Sequence, residues 1–366
     1  MTDVIIVGGG ISGLLSARLL AAAGRNVLVV EKGADLGRES SWAGGGIVSP
    51  LYPWRYPDEI SLLASYGQAH YPALIEALLG ETGIDAELLS SGLLILDEPE
   101  PEMAAWTEKW NAKIERVMDR NALEVVQPGL NTCYQSGIWM PDIQQLRNPR
   151  LMKALSASVE NNPRITVKRG AEVSRIRLDE GRVCGIETNL ETFDCDTVLL
   201  AAGAWSGQLL RELSTPKLDV FPVKGQMILF QAEPGLLQRM VMHAGRYLIP
   251  RKDGLILVGS TLEYTQFKKE VTANARDSLQ AFATELLPAL ENTAIVTQWA
   301  GLRPGSPTGV PTIGECPNVR GLFINAGHFR NGVVIGLASA QIAVDLIVGK
   351  EPILDSSPYL CGKNGS

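Results

Sequence analysis

The chain reads as α/β: a parallel, Rossmann-like domain assembled in pieces, with an inserted α+β domain built on a mostly antiparallel sheet. Three observations carry that expectation. Residues 3–31 spell a buried strand, a glycine-rich turn, an apolar helix and a second buried strand. Parallel-type strands do not follow on directly; they return only after residue 160 and again near 322. Between them, residues 220–259 alternate as antiparallel strands do. The pieces 1–85, 146–219 and 298–366 are expected to make the first domain, and 86–145 with 220–297 the second.

In the opening motif, Gly8-Gly9-Gly10-Ile11-Ser12-Gly13 follows the strand and starts the helix. Gly8 permits the tight turn, Gly10 lets a pyrophosphate reach the backbone, and Gly13 lets the helix pack on the strand. Phosphates would sit on the unpaired N–H groups of the first helical turn, where the dipole favours negative charge. Glu31 falls 18 residues after Gly13, where a carboxylate meets a ribose hydroxyl. Flanked by strand, helix and second strand, the motif predicts a dinucleotide site and leaves NAD and FAD open.

A length of 366 residues predicts two domains. The net charge of −7 gives no attraction to nucleic acid or to an anionic membrane. Residues 4–24 are apolar, but no cationic stretch precedes them, and Asp3, Arg18 and the glycines break the run, so neither a signal peptide nor an anchor is expected. Residues 332–348 carry Gln341 and Asp345 and read as a buried helix. Five scattered cysteines (133, 184, 195, 316, 361) without a CxxC fit thiols in the reducing cytoplasm. The three histidines, at 70, 243 and 328, have no zinc-site spacing, so no metal is expected, and no GxSxG elbow supports a serine nucleophile.

After Glu31 and Lys32, Gly37 to Gly46 form a glycine-dense loop suited to backbone approach to a ligand. Residues 58–79 repeat Ile60, Leu63, Leu74 and Leu78 at helical spacing, 91–96 are a short strand, and 98–127 read as polar and mostly helical. Pro149 suits an early helical position before Leu151, Leu155 and Val159. Residues 173–178 and 182–188 make a hairpin around Asp179-Glu180-Gly181. Residues 197–206 are a buried strand ending in the small residues Ala201-Ala202-Gly203-Ala204, which let the chain pass close to a nucleotide; a helix over 207–213 follows. Tyr247 to Arg251 and Leu255 to Val258 flank the turn Lys252-Asp253-Gly254. Leu279, Phe282, Ala283 and Leu286 mark a helix, and 299–307 read as a rigid loop. A last strand from 322 runs through Gly327-His328-Phe329-Arg330-Asn331-Gly332 into the final helix, 333–348, and 361–366 form a polar tail.

A nicotinamide dehydrogenase would follow Glu31 with further βαβ units. The interleaved order favours FAD, and the helix start after Gly332 offers a positive dipole end for a reduced isoalloxazine. The motifs GGGISG with Glu31, AAGAWSG, PVKGQ, WAGLRPGSP and AGHFRNG together resemble the D-amino-acid oxidase / sarcosine oxidase group of FAD enzymes, most closely the bacterial glycine oxidases of thiamine synthesis. The likeness runs from residue 1 to about 350. It implies a discontinuous FAD domain of glutathione-reductase type and oxidation of glycine, sarcosine or small D-amino acids to the 2-oxo acid, with hydrogen peroxide formed from oxygen. It also implies a homotetramer.

Carried over by motif, Arg303 clamps the substrate carboxylate, Tyr247 donates to it, and Arg330 closes the site beside the amine. These three are the expected catalytic and substrate-binding residues. The expected FAD contacts are Gly8, Gly10, Ile11, Ser12, Gly13, Glu31, Lys32, Glu39, Ser40, Gly44, Gly45, Gly46, Val173, Gly203, His328, Phe329, Arg330, Asn331, Gly332, Val333 and Val334. WAGLRPG and AGHFRNG contain no cysteine, so the flavin is expected to be non-covalent. Gly44-Gly45-Gly46 stands where relatives carry bulkier residues, which bears on pocket volume. The nearest alternative is a D-amino-acid or sarcosine dehydrogenase that passes electrons to a quinone or carrier protein. A flavin-dependent RNA- or protein-modifying protein, or a silent FAD-binding partner, leaves Arg303 with Tyr247 unexplained.

Overall fold

The structure, a computed structural model, describes residues 2–211 and 218–362. Its first sheet has six strands in the order Thr312–Glu315, Leu322–Ala326, Val198–Leu200, Val4–Val7, Val27–Glu31, Ile165–Arg169. All neighbours are parallel except the first pair. Because both faces of a parallel sheet are covered, alternate residues of one strand must enter different cores. Val4, Ile6, Val27 and Val29 pack with the helices Ile11–Ala22, Asp58–Thr82, Asn148–Glu160 and Gly332–Val348. Ile5, Val7, Leu28 and Val30 pack instead against the hairpin Val173–Asp179 and Arg182–Thr188.

The second sheet has eight strands, in the order Ile295–Gly305, Phe221–Gln231, Leu255–Gly259, Arg246–Pro250, Met240–His243, Leu93–Ile95, Gly137–Met140, Glu115–Val117. It is antiparallel apart from the pairing of Met240–His243 with Leu93–Ile95. Alternation again sorts the faces. Ile228, Phe230, Leu248, Ile256 and Val258 bury against the helix Ala273–Leu286, while Met227, Tyr247, Ile249 and Leu257 line the opposite face. Tyr247 therefore points away from that helix because of its place in the two-residue repeat. The interleaved order read from the sequence is the observed one.

Four local expectations need correction. Residues 299–307 are not a loop: up to Gly305 they belong to an eleven-residue strand paired along Phe221–Gln231. That strand lies at the sheet edge, where a proline costs no ladder bond, and Pro304 sits opposite Pro222. Residues 98–127 split into the helices Pro101–Trp110 and Arg120–Val126 around the short strand Glu115–Val117. Asn111 ends the first helix in the left-handed conformation, which the composition did not announce. The strand expected over 197–206 stops at Leu200 and passes into a tight turn, Gly203–Trp205. The helix after it, Ser206–Leu209, is one turn long; Leu213, like 363–366 of the tail, lies outside the described residues. None of the five cysteines forms a disulfide.

Candidate active site

One deep cavity follows the C-terminal ends of the parallel strands, where α/β sheets bind ligands, and extends to the second sheet. At its first end Gly8 adopts φ +110°, and a Cβ there would come 2.5 Å from the Ala201 carbonyl oxygen. A Cβ on Gly13 would lie 2.0 Å from the Gly8 oxygen. Both positions are closed to any side chain. The Glu31 carboxylate accepts the Gly9 and Gly33 N–H groups, both at 2.7 Å, which fixes it at the strand end. Ser41 Oγ accepts the Ile11 N–H at 3.0 Å, so one helix-start donor meets a side chain in this structure. Lys32 Nζ lies 3.3 Å from the centre of the Trp205 ring, and burial lowers its pKa from the ordinary lysine value.

At the other end the cavity is walled by Tyr247, Ser260, Met227, Leu51, Arg303 and Arg330. The Tyr247 ring is wedged between two glycines: a Cβ on Gly45 would approach its Cε2 to 3.0 Å, and one on Gly259 its Cε2 to 2.8 Å. The glycine loop does not enlarge the pocket. Gly44 is closed by Asn148 Nδ2 at 2.7 Å, and Gly46, at φ +84°, by the Leu146 oxygen at 1.9 Å. Arg251 holds the same loop, donating to Gly45 O at 2.8 Å, Leu146 O at 3.0 Å and Gln145 Oε1 at 2.8 Å. Burial pushes its pKa down to about 10.

Arg303 lies flat over Gly225, where a Cβ would strike the guanidinium at 2.2 Å. It donates to Ser260 Oγ at 2.7 Å and Thr261 O at 3.3 Å. Arg330 donates to Gly245 O at 3.2 Å. Among the described residues no carboxylate forms an ion pair with either guanidinium. Arg303 is only partly covered by area, because one face opens into the cavity, but it is deep enough that burial, and the charge of Arg330, push its pKa down to about 10. Two poorly neutralised cations beside one phenol make this end a receptor for an anion.

A family profile described as FAD-dependent oxidoreductase matches residues 3–346. The chain belongs to the FAD-dependent oxidoreductase family. It is 48% identical to the glycine oxidase of Pseudomonas aeruginosa over 97% of each chain. It is 30% identical to the bifunctional protein ThiO/ThiG of Synechocystis, with 96% of this chain matching 52% of that one. The crystal structure of glycine oxidase from Geobacillus kaustophilus superimposes with a TM-score of 0.93 at 29% identity, over 100% of this chain and 99% of that one.

FAD is the cofactor of this family, and the cavity fits it. Asn148 Oδ1, both amide atoms of Asn325, His328 Nε2 and Asn331 Nδ2 are buried without a protein partner, on side chains that line the cavity. Buried polar atoms are rarely left unpaired, because each costs about 1–3 kcal/mol, so this concentration marks a polar ligand. Of the residues expected to contact FAD, all line the cavity except Gly13 and Val334. Gly13 is spent on helix–strand contact, and Val334 is core, 1% exposed. Sequence reasoning missed Asn325, Asn148, Ser41, Ser260 and Arg251. Asn325 sat one residue before Ala326-Gly327 as a polar residue in an apolar strand, a signal that could have found it; the others carry none locally.

Burial pushes the His328 pKa down to about 4 from 6.5. The unfolded chain takes up a proton below about pH 6.5 and the folded one only near 4, so the unfolded state binds more protons in that window. Stability present above the window should fall by on the order of 3 kcal/mol as pH drops through it. Denaturant melts at pH 7 and near pH 4 are expected to show this, and His328→Asn should flatten that limb.

Proposed function

We propose that this protein oxidises glycine, and with it sarcosine and small D-amino acids, to the 2-oxo acid, releasing ammonia or amine and hydrogen peroxide. For glycine the balance is glycine, oxygen and water giving glyoxylate, ammonia and peroxide. The observation that carries the reading is the pair of unpaired guanidiniums beside Tyr247 at the flavin end of the cavity. FAD, held by the residues lining the cavity, would supply the two-electron acceptor for hydride from the α-carbon, with oxygen as the final acceptor.

The protein's share is orientation and electrostatics. Arg303 offers its planar fork to the substrate carboxylate, and Tyr247, whose hydroxyl has no hydrogen-bond partner among the described residues, donates a second bond. Arg330 closes the chamber on the amine side. With two cations in the chamber and one carboxylate to offset them, a protonated amine is disfavoured. The amine then reacts neutral, so no side chain need remove its proton. Ser260 and Gly225 matter because they set the plane of the Arg303 guanidinium.

The FAD is held without a covalent bond, through the expected contacts from Gly8 to Val333. Acid precipitation should leave the yellow colour in the supernatant; colour on the pellet would contradict it. We place the enzyme in the cytoplasm, as a homo-oligomer, in thiamine synthesis, on the strength of its likeness to the thiamine-pathway glycine oxidases. Among the described residues no helix is long and apolar enough to cross a membrane. A panel of glycine, sarcosine, D-alanine and D-proline assayed for peroxide in air tests the activity. Dye reduction without peroxide would replace the oxidase with a dehydrogenase using another acceptor.

A further inference from the structure

Arg330 does not stand alone. Among the described residues its one hydrogen bond goes to the carbonyl of Gly245, in the two-residue turn Ala244-Gly245 between the strands Met240–His243 and Arg246–Pro250. Both turn residues are left-handed, at φ +48° and +74°. That geometry suits glycine, but at Ala244 it costs about 1–2 kcal/mol. A two-residue turn of this type twists the strands correctly, so it persists if something holds it.

What holds it comes from two remote segments. Asp97, just past the strand Leu93–Ile95, accepts the Ala244 N–H at 2.9 Å through Oδ1 and at 3.3 Å through Oδ2. Its Oδ1 also lies 3.0 Å from His243 Nδ1. Tyr52 donates its hydroxyl to Asp97 Oδ2 and accepts the Gly245 N–H at 2.9 Å. Tyr52 is itself left-handed, at φ +51°, and only 4% exposed. Arg55 lies over its ring at 3.7 Å and pairs with Glu100. Leu51, next to Tyr52, lines the cavity. Two strained residues thus meet at the turn whose carbonyl anchors Arg330, and strain of this kind collects where a geometry must be kept.

We infer that Tyr52 and Asp97 are positioning residues for the reaction: they hold the Ala244-Gly245 turn so that Gly245 O aims Arg330 at the substrate. The inference rests on the proposed role of Arg330. Without the bracket the turn relaxes, its carbonyl swings, and the guanidinium loses its anchor, while the carboxylate site at Arg303 stays intact.

The test uses the FAD-loaded enzyme in five forms: unaltered, Tyr52→Phe, Arg330→Ala, the double variant of these two, and Tyr52→Phe with Ala244→Gly. Tyr52→Phe keeps the ring packed and deletes the bridge. It should lower kcat for glycine about five- to tenfold, the worth of one buried hydrogen bond. The inhibition constant of acetate, which reports on Arg303 and Tyr247, should stay within about twofold with full FAD occupancy, because the Tyr247 ring is held between Gly45 and Gly259 rather than by the turn. In the Arg330→Ala background the same change should cost less than about twofold, because there is nothing left to aim. Adding Ala244→Gly to Tyr52→Phe should restore most of the lost kcat, since glycine holds the turn unaided. An equal loss with and without Arg330, or a parallel rise in the acetate constant, would overturn the inference in favour of general loosening. Should Tyr52→Phe fail to fold, Asp97→Asn carries the same comparisons. If Arg330→Ala alone leaves kcat/KM unchanged, the assigned role of Arg330 fails, and the bracket falls with it.

Discussion

Arg303→Ala is expected to raise the KM for glycine by about two to three orders of magnitude, because breaking a buried charge pair costs about 3–5 kcal/mol. The guanidinium lies over Gly225 and is turned by Ser260 and Thr261, so its face toward the cavity is presented ready-made. Truncation leaves the substrate carboxylate with Tyr247 alone in a site built for an anion. Arg303→Lys should recover only part of the loss, since a point charge cannot reproduce two parallel N–H bonds. FAD content should not change. Steady-state kinetics across a wide glycine range checks this, and an unchanged KM would remove the carboxylate clamp from the proposal.

The second large effect is expected far from the chemistry, at Gly67. This residue sits in the helix Asp58–Thr82, and a Cβ there would lie 1.8 Å from the Val334 carbonyl oxygen. The obstacle is backbone, which cannot rotate away. One turn further on, Tyr71 donates its hydroxyl to Val333 O at 2.7 Å, tying the two helices at the same place. Gly67→Ala must push the start of the helix Gly332–Val348 away, and Gly332 and Val333 line the FAD cavity. A loss of about 3 kcal/mol or more follows from overpacking against an unyielding atom. Thermal melts should show it, together with weaker FAD retention on dilution. Gly80, in the same helix with nothing within 4 Å, is the control: Gly80→Ala should stabilise by up to about 1 kcal/mol.

The sequence made the cofactor end legible because its chemistry is local. Gly8, Gly10, Gly13 and Glu31 lie within one strand–turn–helix–strand unit; Gly13 answers to Gly8 close by in the chain and Gly8 to the end of the strand Val198–Leu200, while Gly10 faces Ser41. The run of parallel and antiparallel strands was readable for the same reason, since alternation is a property of short segments. The chamber end was legible only in part. Tyr247 and Arg303 stood out through their motifs, but Ser260, Arg251, Tyr52 and Asp97 act through contacts between segments more than forty residues apart in sequence. No periodicity announces such contacts. Residues 299–305 read as a loop because Ala300-Gly301 and Pro304-Gly305 are poor strand formers; pairing with Phe221–Gln231 supplies what the local preference lacks.

The most direct test of the whole account is anaerobic mixing of the FAD-loaded protein with glycine. The oxidised flavin band should bleach at saturating glycine, far more slowly in Arg303→Ala at the same concentration, and admitting air should restore it with one peroxide per flavin reoxidised. An oxidised band that persists through glycine, sarcosine and D-alanine alike would contradict the account.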